Sequence, residues 1–402
     1  MTDFRLIAVV GVAHFASHFF QLTLPPLFPL LRVEFGVGYA ALGLVMSVFY
    51  GASAVGQSIS GFLVDRIGAR PVLLGGTAAL AGGIILAGFA ESMSALVAVA
   101  LVAGLGNSVF HPADYALFNT AIGTGRLGRA YSAHALAGAL GYAAAPATIV
   151  ALAAGFGWRG AVIGVGVTGL AWLAVLAYQT RGLSALRRAE PTAQRTRDGA
   201  PASAAGVLFT TPIVAAFAYF VLLTTATAGT QTFSVAAIVA LYASPLGLAT
   251  TALSGYLIGK AVGVLGGGFL ADRTRRHDVV AIGGILAAAT LVLVVASGGV
   301  PLAVVAAAMT LAGASLGVAQ PSRDLLVRAV TPPGASGRVF GFAYSGMDIG
   351  SALTPVVFGW LLDHGQPRAL FVVVATLMVM TIGTVVAVGG EARRPRRVAV
   401  GG

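Results

Sequence analysis

The chain has 402 residues, 57% of them hydrophobic and only 9% charged, against roughly 25% charged in an ordinary soluble domain, so it is not a water-soluble globule. Its net charge of +11 is spread along the chain rather than gathered on one basic face, which argues against a nucleic-acid partner. With no cysteine, disulfides and thiolate metal sites are excluded.

Apolar runs long enough to cross about 30 Å of hydrocarbon as helix recur through the chain. Lipid offers no hydrogen bonds to backbone, so each run is predicted to be helical. The spacing places spans at about 5–31, 40–64, 71–90, 94–119, 129–155, 159–180, 207–241, 248–271, 278–297, 301–327, 338–362 and 368–389. The first run is too long for a signal-peptide core and no small-residue cleavage site follows it, so it is read as span one. The 55 glycines, costly to helices in water, suit close backbone approach in a bilayer.

In span one, His14, His18 and Gln21 follow an i, i+4, i+7 spacing and share one face. Ionisable groups at that depth are costly and usually face a cavity. Substrate contact or proton carriage is one reading, and neutral histidines bonded within the helix packing the other. After span two comes GFLVDRIGAR at 61–70, with Gly61, Asp65, Arg66 and Arg70. A carboxylate there can accept bonds from a facing helix N-terminus and from arginine, and so latch the two halves when that side closes. Topology determinants and loop caps are the plainer alternative.

Span four carries Asn107, His111 and Asp114. The segment 181–206, with Arg, Glu, Pro and Ser but no apolar period, reads as a linker between halves 1–180 and 207–402. Span eight holds Lys260 near its middle, and span eleven holds Asp348. They either neutralise each other or serve solute and proton; a buried lysine favours an anionic solute. Span eight ends in GFLADRTRRH, a second copy of the first loop with Gly268, Asp272 and Arg273. Span ten carries Gln320, Arg323 and Asp324, so Asp114 and Arg323 stand at matched depth and either pair across a cavity or are satisfied within their own halves. His134, His277 and His364 fall near span ends and read as solvated.

A shift of 209 carries Gly104 onto Gly313, Pro112 onto Pro321, Gly141 onto Gly350, Pro146 onto Pro355 and Arg159 onto Arg368. Six spans per copy make the repeats parallel, about an axis along the membrane normal. Most arginines fall on the side of the termini and only Arg32, Arg159 and Arg368 on the other, so both termini are expected in the cytoplasm.

At these residues the chain resembles the major facilitator superfamily along essentially its whole length. The superfamily's loop, Gly-x-Leu-x-Asp-Arg-x-Gly and basic residues, stands here as Gly61, Leu63, Asp65, Arg66, Gly68 and Arg70. Within it, GNSVFHPADYAL at 106–117 and HFASHFFQ at 14–21 are similar to the branch of fosmidomycin-resistance exporters, with Ala113 where that branch has Glu. The resemblance implies a cavity lined by spans one, four, seven and ten, two halves rocking around it, and drug/proton antiport; Ala145-Pro146 replaces the Gly-Pro of the antiporter motif.

No phosphate-binding loop, metal-ligand cluster or nucleophile constellation stands out in the sequence, so neither an enzyme nor a resident cofactor is expected. The reading is an all-α, twelve-span secondary transporter of a small organic solute. It is expected to be proton-coupled, to export drugs or organic anions, to sit as a monomer in a bacterial inner membrane and to bind no nucleic acid. A uniporter or a non-transporting sensor would use the same polar residues differently.

Overall fold

The structure, a computed structural model, describes residues 2–123, 126–182, 209–331 and 336–392, and among these no strand occurs. Thr2 caps α1 (Asp3–Gln21), its hydroxyl accepting from Arg5 N–H. Span one is not continuous as expected. It stops at Gln21, passes through a short turn at Pro25–Leu27 and resumes as α2 (Phe28–Phe35). Two adjacent prolines lack the N–H donors that a continuing helix needs.

Spans two and three are α3 (Tyr39–Ile67) and α4 (Ala69–Gly88). Span four is α5 (Met93–Asn107) and α6 (Phe110–Ala121), broken at Ser108. That break lies four residues before Pro112, whose missing N–H leaves the Ser108 carbonyl without its helical donor. Spans five and six run together as α7 (Leu127–Gln179), but Gly157 at φ 67° and ψ 163° divides them, a conformation glycine alone adopts freely.

The second half follows with α8 (Thr211–Tyr242), α9 (Leu246–Arg273), α10 (His277–Ala296), α11 (Leu302–Val330), α12 (Ser336–Asp363) and α13 (Pro367–Ala392). Among the described residues ten helical stretches are long and apolar enough to cross a bilayer; one contains both spans five and six, and the 28-residue α12 completes twelve crossings. Beyond residue 182 the expected linker lies outside the described residues.

The repeat is visible as paired contacts, not only as paired letters. A Cβ on Gly104 would lie 2.3 Å from the Phe49 carbonyl oxygen of span two, and one on Gly313 would lie 1.9 Å from that of Tyr256 in span eight. Arg159 donates to the carbonyls of Gly88 and Ala90 at the end of span three, at 3.1 and 2.7 Å. Its counterpart Arg368 donates to Ser297 O at the end of span nine, at 2.9 Å. Both guanidiniums neutralise a helix C-terminus.

Spans eight and ten approach most closely. Gly259 and Gly263 lie on one helix and Gly313 and Gly317 on the other, all four with room for no side chain between the backbones. This small-xxx-small pattern on both partners lets dispersion and backbone contact replace the hydrophobic force that lipid cannot supply. Large apolar side chains such as Val33, Phe62 and Phe269 point outward, as a lipid-facing surface requires.

Candidate functional site

The two halves touch on the face opposite the termini. Asp363, ending α12, accepts from the N–H groups of Tyr39 and Ala40 at the start of α3, at 2.6 and 2.9 Å. Phe28 and Phe233 pack there with ring centroids 5.4 Å apart. On the face that carries the termini, Asp65, Arg66, Asp272 and Arg273 are exposed, and Gly61 and Gly268 face open space. The expected latch residues are thus disengaged. Arg70 is used otherwise, donating to Thr180 Oγ1 at 3.1 Å and Ala177 O at 2.9 Å and so closing the end of span six.

The first-half wall of the interior is a polar network. Tyr142 OH donates to Gln21 Oε1 at 2.6 Å, Gln21 Nε2 donates to Asn107 Oδ1 at 3.3 Å, and Asn107 Nδ2 donates to Ser53 Oγ at 2.9 Å. Four spans are tied together through one partly buried amide pair. One turn deeper, His14 and His18 meet through their Nε2 atoms at 3.1 Å, and the His14 ring lies 5.0 Å from that of His111.

Asp114 is fully buried in α6. Its Oδ2 receives His134 Nε2 at 2.9 Å and lies 3.7 Å from His14 Nδ1. One expectation is therefore corrected. His134 is not solvated at a span end but buried, stacked on His14 with centroids 3.5 Å apart. Of the two alternatives for Asp114, the structure has it bonded within its own half, to His134, and not to Arg323. His277 is likewise partly buried rather than solvated, while His364 is exposed as expected.

The second-half wall is cationic. Arg323 bonds its neighbour Asp324, Nη2 to Oδ1 at 2.8 Å, and lies over the Phe220 ring of span seven at 4.8 Å. Asp324 is held further by Tyr344 OH at 3.3 Å. Lys260 forms no hydrogen bond or ion pair among the described residues, so of the two alternatives the pairing with Asp348 is not made. Its ammonium lies within electrostatic reach of Arg323 in its own half and of His18 in the other. Among the described residues Asp348, half-buried in α12, also has no bonded partner, and half-buried Gln320 has none.

Tyr142 and Ser53 carry no role in the sequence reading, and His134 is placed there in the wrong setting. His134, Gly138 and Tyr142 share one helical face by their spacing, which is the signal that could have found two of them. Ser53 carries no such signal.

Twelve spans, paired repeat contacts and a polar interior between two halves describe a two-body carrier architecture. The family model of the Major Facilitator Superfamily matches residues 10–248 and 221–400. The chain belongs to the major facilitator superfamily. That family is one of membrane transporters. It is 28% identical over 187 residues to the fosmidomycin resistance protein of Escherichia coli (strain K12), covering 46% of each chain. It is 28% identical over 179 residues to the probable sulfoacetate transporter of Cupriavidus necator, covering 44% of this chain and 41% of that one. A third relative, the probable L-galactonate transporter of Escherichia coli (strain K12), is 28% identical over 140 residues, 35% of this chain and 31% of that one. The matches span less than half the length of these relatives.

Among solved structures, the nucleoside transporter NupG superposes with a TM-score of 0.73 at 16% identity, covering 96% of this chain and 98% of that one. A bacterial homolog of the human lysosomal transporter Spinster, inward-facing and unoccupied, gives a TM-score of 0.73 at 13% identity over 98% and 97%. At these identities the likeness is one of fold.

Proposed function

We propose that this major facilitator protein moves a small organic anion through the membrane by alternating access, driven by protons. The observation that carries the anion is Lys260, a cation deep in span eight whose ammonium has no bonded partner among the described residues. Charge at that depth is expensive and is kept where a solute or ion neutralises it. Two relatives bear the names of anion transporters, for sulfoacetate and L-galactonate, which supports the same class.

Asp348 is assigned the coupling proton, since its half-buried carboxyl inside a span has no bond to neutralise it. Asp65 and Asp272 are assigned the latch that closes the terminal face. With arginines concentrated on that face, the termini are placed in the cytoplasm of a bacterial inner membrane, the working unit is a single chain, and the described conformation is open inward.

A thermal-shift screen of the purified protein against sulfoacetate, aldonates, phosphonates, neutral sugars and lipophilic cations tests the reading. Stabilisation by anions, lost on Lys260→Ala, is expected. Stabilisation confined to sugars or cations would refute it.

A further inference from the structure

The interior holds a histidine cluster that the transport reading does not require. His14 and His18 sit one turn apart on α1, His111 comes from α6, and the ligand atoms of all three lie within 4.8 Å of one another. We propose that these three imidazoles bind a divalent transition-metal ion of the zinc class, through His14 Nε2, His18 Nε2 and a ring nitrogen of His111, with a fourth position open to the cavity.

The spacing fits a shared ion. Two nitrogens bound at about 2.0–2.1 Å with a tetrahedral angle stand roughly 3.3 Å apart. The Nε2 atoms of His14 and His18 are 3.1 Å apart. The i, i+4 placement on one helix face is the one that helical zinc sites use.

The outer contacts fit as well. Metal-bound imidazole usually directs its other N–H to a carboxylate, which fixes the ring and raises its basicity. Behind His14, Nδ1 faces Asp114 Oδ2 at 3.7 Å, and the same oxygen is bonded by His134. His14 Nδ1, His18 Nδ1 and Asp114 Oδ1 are all buried without a hydrogen-bond partner among the described residues. Two neutral imidazoles meeting Nε2 to Nε2 share a single hydrogen. An ion taking both Nε2 lone pairs puts a hydrogen on each Nδ1, and that of His14 then points at Asp114.

Space is reserved for the pair. A Cβ on Gly138 of span five would lie 2.8 Å from His14 Nε2 and 2.8 Å from His18 Cδ2. Any residue other than glycine there would press on both ligands. The donor set selects the ion: imidazole without thiolate suits zinc, nickel, cobalt or copper, whereas magnesium and calcium want oxygens. The sequence hid this site because its ligands come from helices about 100 residues apart.

The test uses tag-free protein in detergent and needs no transported solute, so it is independent of the anion reading. Cobalt(II) titration is expected to give visible d–d bands that saturate at one ion per chain and vanish on adding zinc. His18→Gln and His111→Gln are each expected to weaken binding at least tenfold, and Asp114→Asn by about 10–100-fold. His364→Gln, on the exposed loop, is expected to match the parent. His111 is not buried and makes no hydrogen bond among the described residues, so its variant serves as a folded reference, checked by monodispersity and unfolding temperature. No saturable bands, or full retention of binding in the combined His18→Gln and His111→Gln variant, would overturn the site.

Discussion

The Asp363 carboxylate caps the first turn of another helix in the opposite half, receiving Tyr39 N–H at 2.6 Å and Ala40 N–H at 2.9 Å. An acidic group at a helix N-terminus satisfies orphan donors and meets the positive end of the helix dipole. It is the same chemistry that the sequence suggested for Asp65, found instead on the other face of the molecule. Because the contact joins the two halves, it exists only while that face is closed.

Removing such a cap costs about 1 kcal/mol, roughly a fivefold change in a two-state ratio. Asp363→Ala is expected to shift the population toward opening of the face opposite the termini by about that factor. The cysteine-free chain makes this measurable with Phe233→Cys as the single labelling site, since Phe233 is buried against Phe28 at the closure. Labelling from that face should rise when Asp363→Ala is added; an unchanged rate would show that the cap does not hold the closure.

Asp65 presents the converse case. It is exposed and unbonded in the described conformation, so Asp65→Asn should leave the unfolding temperature unchanged. Turnover should fall, because the terminal face then lacks its latch in the half-cycle in which it must close. Equal turnover in parent and variant would leave Asp65 a topology determinant only.

The fold was legible in the sequence because each of its determinants is local or periodic. Apolar run length gave the twelve crossings, and the shift of 209 gave the equivalence of Arg159 with Arg368 that the helix-end contacts display. Span one was misjudged at Pro25 and Pro26, where apolar content continues but the backbone donors do not. The site was legible only in part. His14, His18 and Gln21 announce themselves by spacing on one helix, whereas the partners that decide their chemistry, Asp114, His134 and Tyr142, arrive from other spans. Matched sequence positions left open whether Asp114 and Arg323 pair with each other, and each is bonded within its own half.

Glycine content turns from composition into stability at the contact of spans eight and ten. Gly313→Val would drive side-chain atoms into the Tyr256 carbonyl, with even the Cβ at 1.9 Å. Overpacking of this kind costs about 1–3 kcal/mol. A clear drop in the unfolding temperature is expected, while Gly266→Ala on the same helix pair, with open space around it, should show little change. Equal effects at both positions would mean that the close approach does not limit stability.

Lys260 is expected to contribute to solute binding more than to folding. A charge-assisted hydrogen bond is worth about 1.5–3 kcal/mol, so Lys260→Ala should weaken anion binding by about tenfold or more. Folded yield should change little, because no carboxylate is left unpaired by the substitution. Adding Asp348→Ala should restore nothing, since the two residues form no pair. Rescue of binding and yield by that second change would instead make them a structural pair.

The proposed coupling is tested at Asp348. Its carboxyl is half-buried within span eleven and has no bonded partner among the described residues. Each pH unit across the membrane supports about tenfold accumulation per coupled proton. In proteoliposomes with a one-unit gradient, the parent protein should accumulate solute about tenfold. Asp348→Asn keeps the shape and hydrogen-bonding capacity of the side chain but cannot titrate, so solute counterflow without a gradient should persist while accumulation falls to the level of simple equilibration. Loss of counterflow together with accumulation would identify a binding or packing role. Undiminished accumulation would remove Asp348 from the coupling step, because a carrier whose coupling proton has nowhere to sit can exchange its solute but cannot concentrate it.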